Sequence, residues 1–270
     1  SGDPPDGHDD DSAEEWDDDF RLIKGKGGKN EDCRENVLYC LRHDPVLRQL
    51  VAYNAFTELQ DKTRIPPWGG EAGEWAEEDD MMLGEYLART HQLVVKGLGT
   101  IRAGVQMAAR ENKYHPIVAS LRTHEWDGVE RLQHWMVDCL GVVDRPYVRR
   151  ISKYFILGMM ARLLRPGCKF DYMLILQGEQ GLGKSTAFRI LAEPYFMDTP
   201  FRIGDKDSYL SLQGVWLVEF SELESMSKAE STAIKAFVSS LEDRFRPPYG
   251  SRMVKMPRRS VLAGTTNGDQ

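Results

Sequence analysis

Residues 178–185 read Gly178-Glu179-Gln180-Gly181-Leu182-Gly183-Lys184-Ser185, an uninterrupted match to G-x-x-x-x-G-K-[ST]. Gly178, Gly181 and Gly183 let the chain take positive φ, so that successive backbone N–H groups turn inward around a phosphate. Lys184 supplies a mobile ammonium for β and γ phosphates, and Ser185 offers a hydroxyl to Mg²⁺. The candidate nucleotide contacts run from Gly178 through Thr186, with ATP and Mg²⁺ as the implied ligand and ion. The flanks agree. The apolar run 172–176 predicts a buried strand, and the helix formers at 186–192 predict a helix whose positive end starts near Lys184. A glycine-rich turn with a chance lysine would need neither flank. Such a loop binds a nucleoside triphosphate without saying what the energy does.

Hydrolysis needs a carboxylate on a neighbouring strand. The apolar run 215–220 carries Glu219 inside it and Glu222 just beyond it, about thirty residues after the loop. Both expected positions lie at the C-terminal end of a strand, where ligands sit in α/β sheets. Ser185 and Glu219 are the candidate metal ligands, and Lys184, Glu219, Glu222 and Asn267 the candidate catalytic set. Which glutamate serves the metal and which orients water stays open. Asn267 closes the strand predicted over 260–266 and can hold the lytic water or the γ phosphate. Thr265 and Thr266 are neighbouring alternatives. A fourth signal is residues 244–259, with six basic residues and no acid: Arg244, Arg246, Arg252, Lys255, Arg258 and Arg259. Phe245 and Tyr249 are interleaved, which suits single-stranded nucleic acid. A solvated edge hairpin is the alternative, and Arg244 and Arg246 can instead serve a nucleotide.

The rest of the chain must position these groups. Its 270 residues suffice for one large or two ordinary domains. The net charge of −7 belongs to one end: residues 1–20 hold ten acids and no Lys or Arg, leaving 32 acids against 35 bases, a net +3. We expect an acidic, disordered tail and linker over 1–29. Helices are predicted at 30–43 (capped by Asn30), 46–51, 79–92 and 100–112, with a turn-rich stretch through Gly70. Together these make a helical or winged-helix-like module over 30–113. A helical lead-in follows over 114–168: an extended start at His115-Pro116, a helix from Trp126 through Leu140 with Leu132 and Cys139 inward, and the longest helix from Asp144 to Leu164. Arg149, Arg150 and Lys153 lie on its outer face, and His115 reads as a satisfied structural histidine. The core over 169–270 adds a helix at 228–241 with Leu241 on its apolar face, and a hairpin closing through 251–257. The four cysteines are far apart with no C-x-x-C, which fits free thiols in a reducing cytosol rather than a disulfide scaffold or zinc site. No apolar run approaches a membrane span.

Several separated segments resemble the virulence-associated protein E family. They are residues 166–172, 178–185, 214–223, 243–250 and 264–267, with Tyr114-His-Pro116 and Trp126-Asp-Gly-Val-Glu-Arg-Leu132 upstream. The resemblance implies an α/β P-loop NTPase core of the AAA+ or superfamily 3 type with a central parallel sheet, behind a mainly helical domain. It further implies an ATP-hydrolysing DNA helicase or replication motor of a phage, prophage or mobile element in a bacterial cytoplasm. Such a protein follows a primase-type domain, forms a ring of identical subunits and acts on single-stranded or forked DNA. Residues 247–259 fall where the pre-sensor hairpin of superfamily 3 helicases tracks DNA. The family continues past the sensor strand into paired arginines expected to supply an arginine finger, and this chain stops before them. A nucleotide-gated DNA-binding or anti-phage module, and a P-loop phosphotransferase, are the alternatives. The phosphotransferase gives no reason for Asn267.

Overall fold

The computed structural model describes residues 21–200, 203–225, 227–245 and 253–267. The acidic run 1–20 and the basic-segment residues Arg246, Tyr249 and Arg252 lie outside them. The chain divides into two compact units. One comprises residues up to Ala55 with Leu59–Tyr114; the other comprises Phe56–Glu58 and His115 onward.

The first unit contains α1 (Arg34–His43), β1 (Val51–Asn54), β2 (Gln60–Lys62), β3 (Gly73–Glu74), α2 (Glu77–His91), α3 (Leu98–Glu111) and β4 (Lys113–Tyr114). Its sheet runs β3-β2-β1-β4, with β4 parallel to β1 and the other pairs antiparallel. Apolar residues at helical spacing meet in one core: Val37 and Leu41 of α1, Leu83 and Leu87 of α2, Ile101 and Val105 of α3. Gly104 sets the approach of α3 to α1, since a Cβ there would lie 2.5 Å from Val37 Cγ1.

Two expectations fail here for local reasons. Asn30 does not cap α1; its amide donates to His91 O (2.7 Å), at the end of α2. Residues 46–51 are not a helix. Asp44 Oδ1 accepts the Val46 N–H (2.7 Å) and Gln49 takes φ +59°, so the chain turns and then enters β1. Strands of two to four residues are too short to show a period of two, which hides this sheet from a reading of the sequence.

The second unit contains α4 (Pro116–Arg122), α5 (Trp135–Leu140), α6 (Pro146–Leu164), β5 (Met173–Gln177), α7 (Lys184–Ala192), β6 (Phe196–Met197), α8 (Lys206–Leu210) and β7 (Leu217–Phe220). A 3₁₀ turn (Leu223–Ser225), α9 (Lys228–Val238), β8 (Glu242–Phe245), β9 (Val254–Pro257) and β10 (Val261–Thr266) complete it. The sheet is parallel throughout, in the order β5-β10-β7-β6. Phe155 and Met159 of α6 and Phe188 of α7 pack with Leu174, Leu176, Leu217 and Ala263. Ile234, Phe237 and Val238 of α9 pack with Val218, Phe220 and Leu262. β10 is therefore covered on both sides, as its unbroken apolar run requires.

The expected buried strand at 172–176 is half right. β5 lies at the sheet edge; Leu174 and Leu176 alternate into the core, whereas Ile175 is 50% exposed and Tyr172 is exposed as well. Pro116 starts a helix rather than an extended piece, with His115 Nδ1 accepting the Val118 N–H (3.4 Å) at its N-cap. His115 is not fully satisfied, because its buried Nε2 has no partner. Burial, and then nearby Arg259, hold its pKa below the usual histidine range. The helix expected from Trp126 covers only α5. Asp127 Oδ1 accepts the Val129 N–H (3.1 Å) and Gly128 takes φ +85°, which keeps 126–134 as loop and leaves Leu132 exposed, as Cys139 is. α9 stops at Val238, so Leu241 is also exposed. Among the described residues no helix is long and apolar enough to cross a membrane, and the four cysteines are free.

Asp44 anchors the first unit. It is fully buried and accepts from Val46 N, Tyr86 Oη (2.9 Å) and His91 Nε2 (2.7 Å). Burial alone would raise its pKa, but these hydrogen bonds outweigh burial and hold it below the ordinary carboxylate value. The stabilisation is thus complete above the unfolded value, near 3.9, and is lost as pH falls through the lower folded value. Asp44→Asn should cost about 2 kcal/mol at pH 7 in urea unfolding followed by Trp68 and Trp75 fluorescence, and markedly less at pH 3. An equal loss at both values would contradict the assignment.

Candidate nucleotide-binding site

The C-terminal ends of β5, β10 and β7 share one edge of the parallel sheet, because Thr265 pairs with Leu176 and Ala263 with Glu219. The glycine loop follows β5, and Gly178 N–H donates to Thr266 O (3.3 Å) across to β10. Gly181 (φ +83°) and Gly183 (φ +78°) take the left-handed conformation expected of the loop. Gly178 does not, and a Cβ there would meet only the exposed Leu182 side chain, 3.1 Å from its Cδ1. α7 begins at Lys184 with Gly183 as its N-cap and no side chain on its first N–H groups, so these donors face the loop's concavity. A cleft of about 360 Å³ opens there, lined by the 180–186 segment, Ser221, Glu222 and 265–267. That volume is within the range of small-molecule sites.

Lys184 folds over its own loop. Its Nζ donates to Gly178 O (2.7 Å) and Glu179 O (2.9 Å), and lies 3.5 Å from Asn267 Oδ1. Ser185 Oγ donates to Glu219 Oε1 (2.6 Å), and Thr265 Oγ1 donates to the same oxygen (2.7 Å). Glu219 is buried, yet its second oxygen, Oε2, has no hydrogen-bond partner. An orphaned buried carboxylate oxygen beside a serine hydroxyl is the donor set a hard divalent cation takes. Mg²⁺ keeps several waters and needs only one or two protein ligands, so a dense cluster of acids is not required. Indeed the described residues contain no group of three or more His, Cys, Asp or Glu able to hold a metal.

Glu222 stands at the rim with φ +53°, a left-handed backbone that is uncommon for a non-glycine residue. Its carbonyl accepts from Ser225 N (2.9 Å) and Ser225 Oγ (2.8 Å), which fastens the strained residue to the 3₁₀ turn. Lys184, Glu222 and Asn267 thus line one cleft, and Glu219 is buried next to it, bonded to the lining residues Ser185 and Thr265. Thr265, which the sequence offers only as an alternative to Asn267, has a role of its own in fixing Glu219. A hydroxyl one residue inside the end of β10 is the signal the sequence offers.

The basic segment is dispersed. β8 and β9 pair as the expected hairpin. Exposed Arg244 reaches back to Glu242 (2.6 Å), and Lys255 is exposed. Arg258 is 1% exposed and is removed from the DNA-contact set. Its guanidinium pairs with buried Asp243, donates to Phe237 O and stacks 3.8 Å from the Phe237 ring centre. Arg259 is held by Glu58 (2.8 Å) and Phe56 O (3.3 Å). A carboxylate one residue outside the basic run, at Asp243, accounts for the burial of Arg258.

The fold and site define an α/β protein with a parallel sheet and a glycine-loop cleft at its C-terminal edge. Residues 121–270, more than half of the chain, match the model of the virulence-associated protein E-like domain, and the chain belongs to that family. No curated protein matches it. Solved structures similar to it include the apo NrS-1 C terminal region (305-718), at 11% identity over 81% of this chain and 54% of that one, TM-score 0.38. The A form apo NrS-1 C terminal region matches at 11% identity over 80% and 53%, TM-score 0.40. A further A form apo structure of residues 305-718 matches at 12% identity over 88% and 57%, TM-score 0.42. The chain spans about half the length of each, and similarity at this level carries no argument.

The buried pair tests its own role. Arg258→Met leaves Asp243 buried and uncompensated, and should cost roughly 3–5 kcal/mol in denaturant unfolding. Adding Asp243→Leu should recover most of that loss. A single variant within 1 kcal/mol of the parent would show that the pair is not fully desolvated.

Proposed function

We propose that the chain carries a P-loop ATPase core of the superfamily 3 type and acts as part of a DNA helicase or replication motor of a phage, prophage or mobile element. The observation that carries the reading is the Ser185–Glu219 contact at 2.6 Å, with Glu219 Oε2 left unpartnered. It joins the loop that would cradle phosphates to the strand that would hold the ion.

In this reading ATP is the substrate. The N–H groups of the loop and of the first turn of α7 receive the β and γ phosphates. Lys184 would exchange its two carbonyl partners for phosphate oxygens. Ser185 and Glu219 would hold Mg²⁺, with Thr265 fixing the carboxylate. Such an ion would offset the negative charge of the phosphates. Glu222, at the rim, orients and deprotonates the attacking water, and Asn267 positions that water or the γ phosphate. Positioning and electrostatics supply the rate, as phosphoryl transfer requires. Arg244 and Lys255 of the hairpin offer charge to single-stranded DNA. A ring of identical subunits would supply arginines in trans, and a primase-type domain would precede the motor.

ATP turnover measured with and without single-stranded DNA tests the reading. Lys184→Ala and Glu219→Gln should each lower turnover at least a hundredfold, and DNA should stimulate only the parent. Parent-like turnover by Lys184→Ala would sink the loop as the catalytic site. Glu222→Gly should keep or raise Tm, because it relieves a left-handed residue costing roughly 1–2 kcal/mol, while turnover falls at least tenfold. Unchanged turnover in that folded variant would remove Glu222 from the chemistry.

A further inference from the structure

The outer face of α6 is used by neither the core nor the cleft. Residues 145–164 contain five bases and no acid. One of these, Arg162, is buried and donates to Ser260 O (3.2 Å) and Phe170 O (3.0 Å). The others lie at the helix start. Val148, Ser152, Phe155 and Met159 turn inward. Tyr147 (72% exposed), Arg150, Lys153 and Tyr154 (59% exposed) turn outward, at the i, i+3, i+6 and i+7 spacing that makes one stripe.

Among the described residues no carboxylate pairs with the charges of this stripe. Arg149 is paired with Asp144, but Arg145, Arg150 and Lys153 have no carboxylate partner among the described residues. Positive side chains in the opening turns also run against the helix dipole, a cost that folding alone gives no reason to retain. Two adjoining clefts share Lys153 and Gln133. One, of about 460 Å³, is lined by Arg149, Arg150 and Tyr154; the other, of about 220 Å³, by Leu132 and Trp126, a residue 76% exposed. The second also contains Glu130, engaged by Gln133 Nε2 (3.0 Å). Aromatic rings open to solvent among unpaired bases are the two components of a single-strand platform: faces for bases, and charge for the backbone. Tyr147 and Tyr154 stand about 10 Å apart along the helix axis, roughly three stacked nucleotides at 3.4 Å each.

We propose that this face of α6, with Tyr147, Arg150, Lys153 and Tyr154 and the adjoining Trp126, binds single-stranded DNA, independently of the nucleotide cleft. The test is fluorescence anisotropy of the whole chain, nucleotide-free, with labelled thymidine 30-mer and an abasic 30-mer. Arg150→Glu/Lys153→Glu should weaken binding at least tenfold near 0.1 M salt. It should also reduce the slope of log K against log salt by about 1.4, two phosphates at about 0.7 each. Tyr147→Ala/Tyr154→Ala should weaken thymidine binding at least fivefold, keep the salt slope, and abolish the preference over the abasic strand. Lys184→Ala should bind as the parent does, so failure of the ATPase reading leaves this result intact. Circular dichroism checks that these exposed substitutions leave the fold unchanged. The proposal is overturned if the parent does not bind the 30-mer, or if the charge-reversed variant keeps both affinity and slope. It is equally overturned if that variant loses only self-association in sedimentation, which would make the face a contact between copies.

Discussion

One carboxylate oxygen holds the site together. Glu219 Oε1 receives hydroxyl hydrogen bonds from Ser185 at the start of α7 and from Thr265 on β10, while Glu219 itself sits on β7. Three elements far apart in the chain converge on one buried atom. A buried carboxylate without partners would be expensive, and two hydroxyl donors offset part of that cost. The other oxygen remains uncompensated, and such an imbalance directly behind a cleft is a mark of a site rather than of a packing solution. The remaining geometry follows from this convergence. The loop must sit against β10 for Ser185 to reach Glu219, and Asn267, two residues beyond Thr265, then falls beside Lys184.

The parts of the fold that sequence made legible are those where local chemistry and tertiary demand coincide. The loop shows because glycine spacing, the lysine and both flanks encode the same object. Glu219 shows because an acid interrupts an apolar strand. The parts that stayed hidden are those where a partner distant in sequence decides. Asp243 lies just before the basic run, and nothing local says that it will bury Arg258. The sheet of the first unit is built from strands too short for periodicity, one of them joined in parallel from sixty residues away at Lys113. At 126–134 a favourable helical composition yields to an aspartate turn and a left-handed glycine.

Arginine illustrates how little residue type alone determines. Arg258 is a buried structural cation stacked on Phe237, and Arg162 is a buried donor to two carbonyls. Arg259 is clamped by Glu58, whereas Arg150 stands on an open helix face. Counting bases in a window treats these as equivalent. Burial and the nearest carboxylate separate them, and only the exposed, unpaired ones remain for a polyanion.

The placement of β10 also bears on how this chain comes into being. β5 and β7 are not neighbours; the strand between them, β10, comes after both in the chain. As the polypeptide emerges during synthesis, the loop strand and the acid strand have no seam to join until residues 261–266 arrive. β10 joins the sheet from its middle, like the keystone of an arch. Such non-local closure slows folding and leaves apolar strand edges open until late. The cleft therefore cannot form before β10 has been made and has paired with both neighbours.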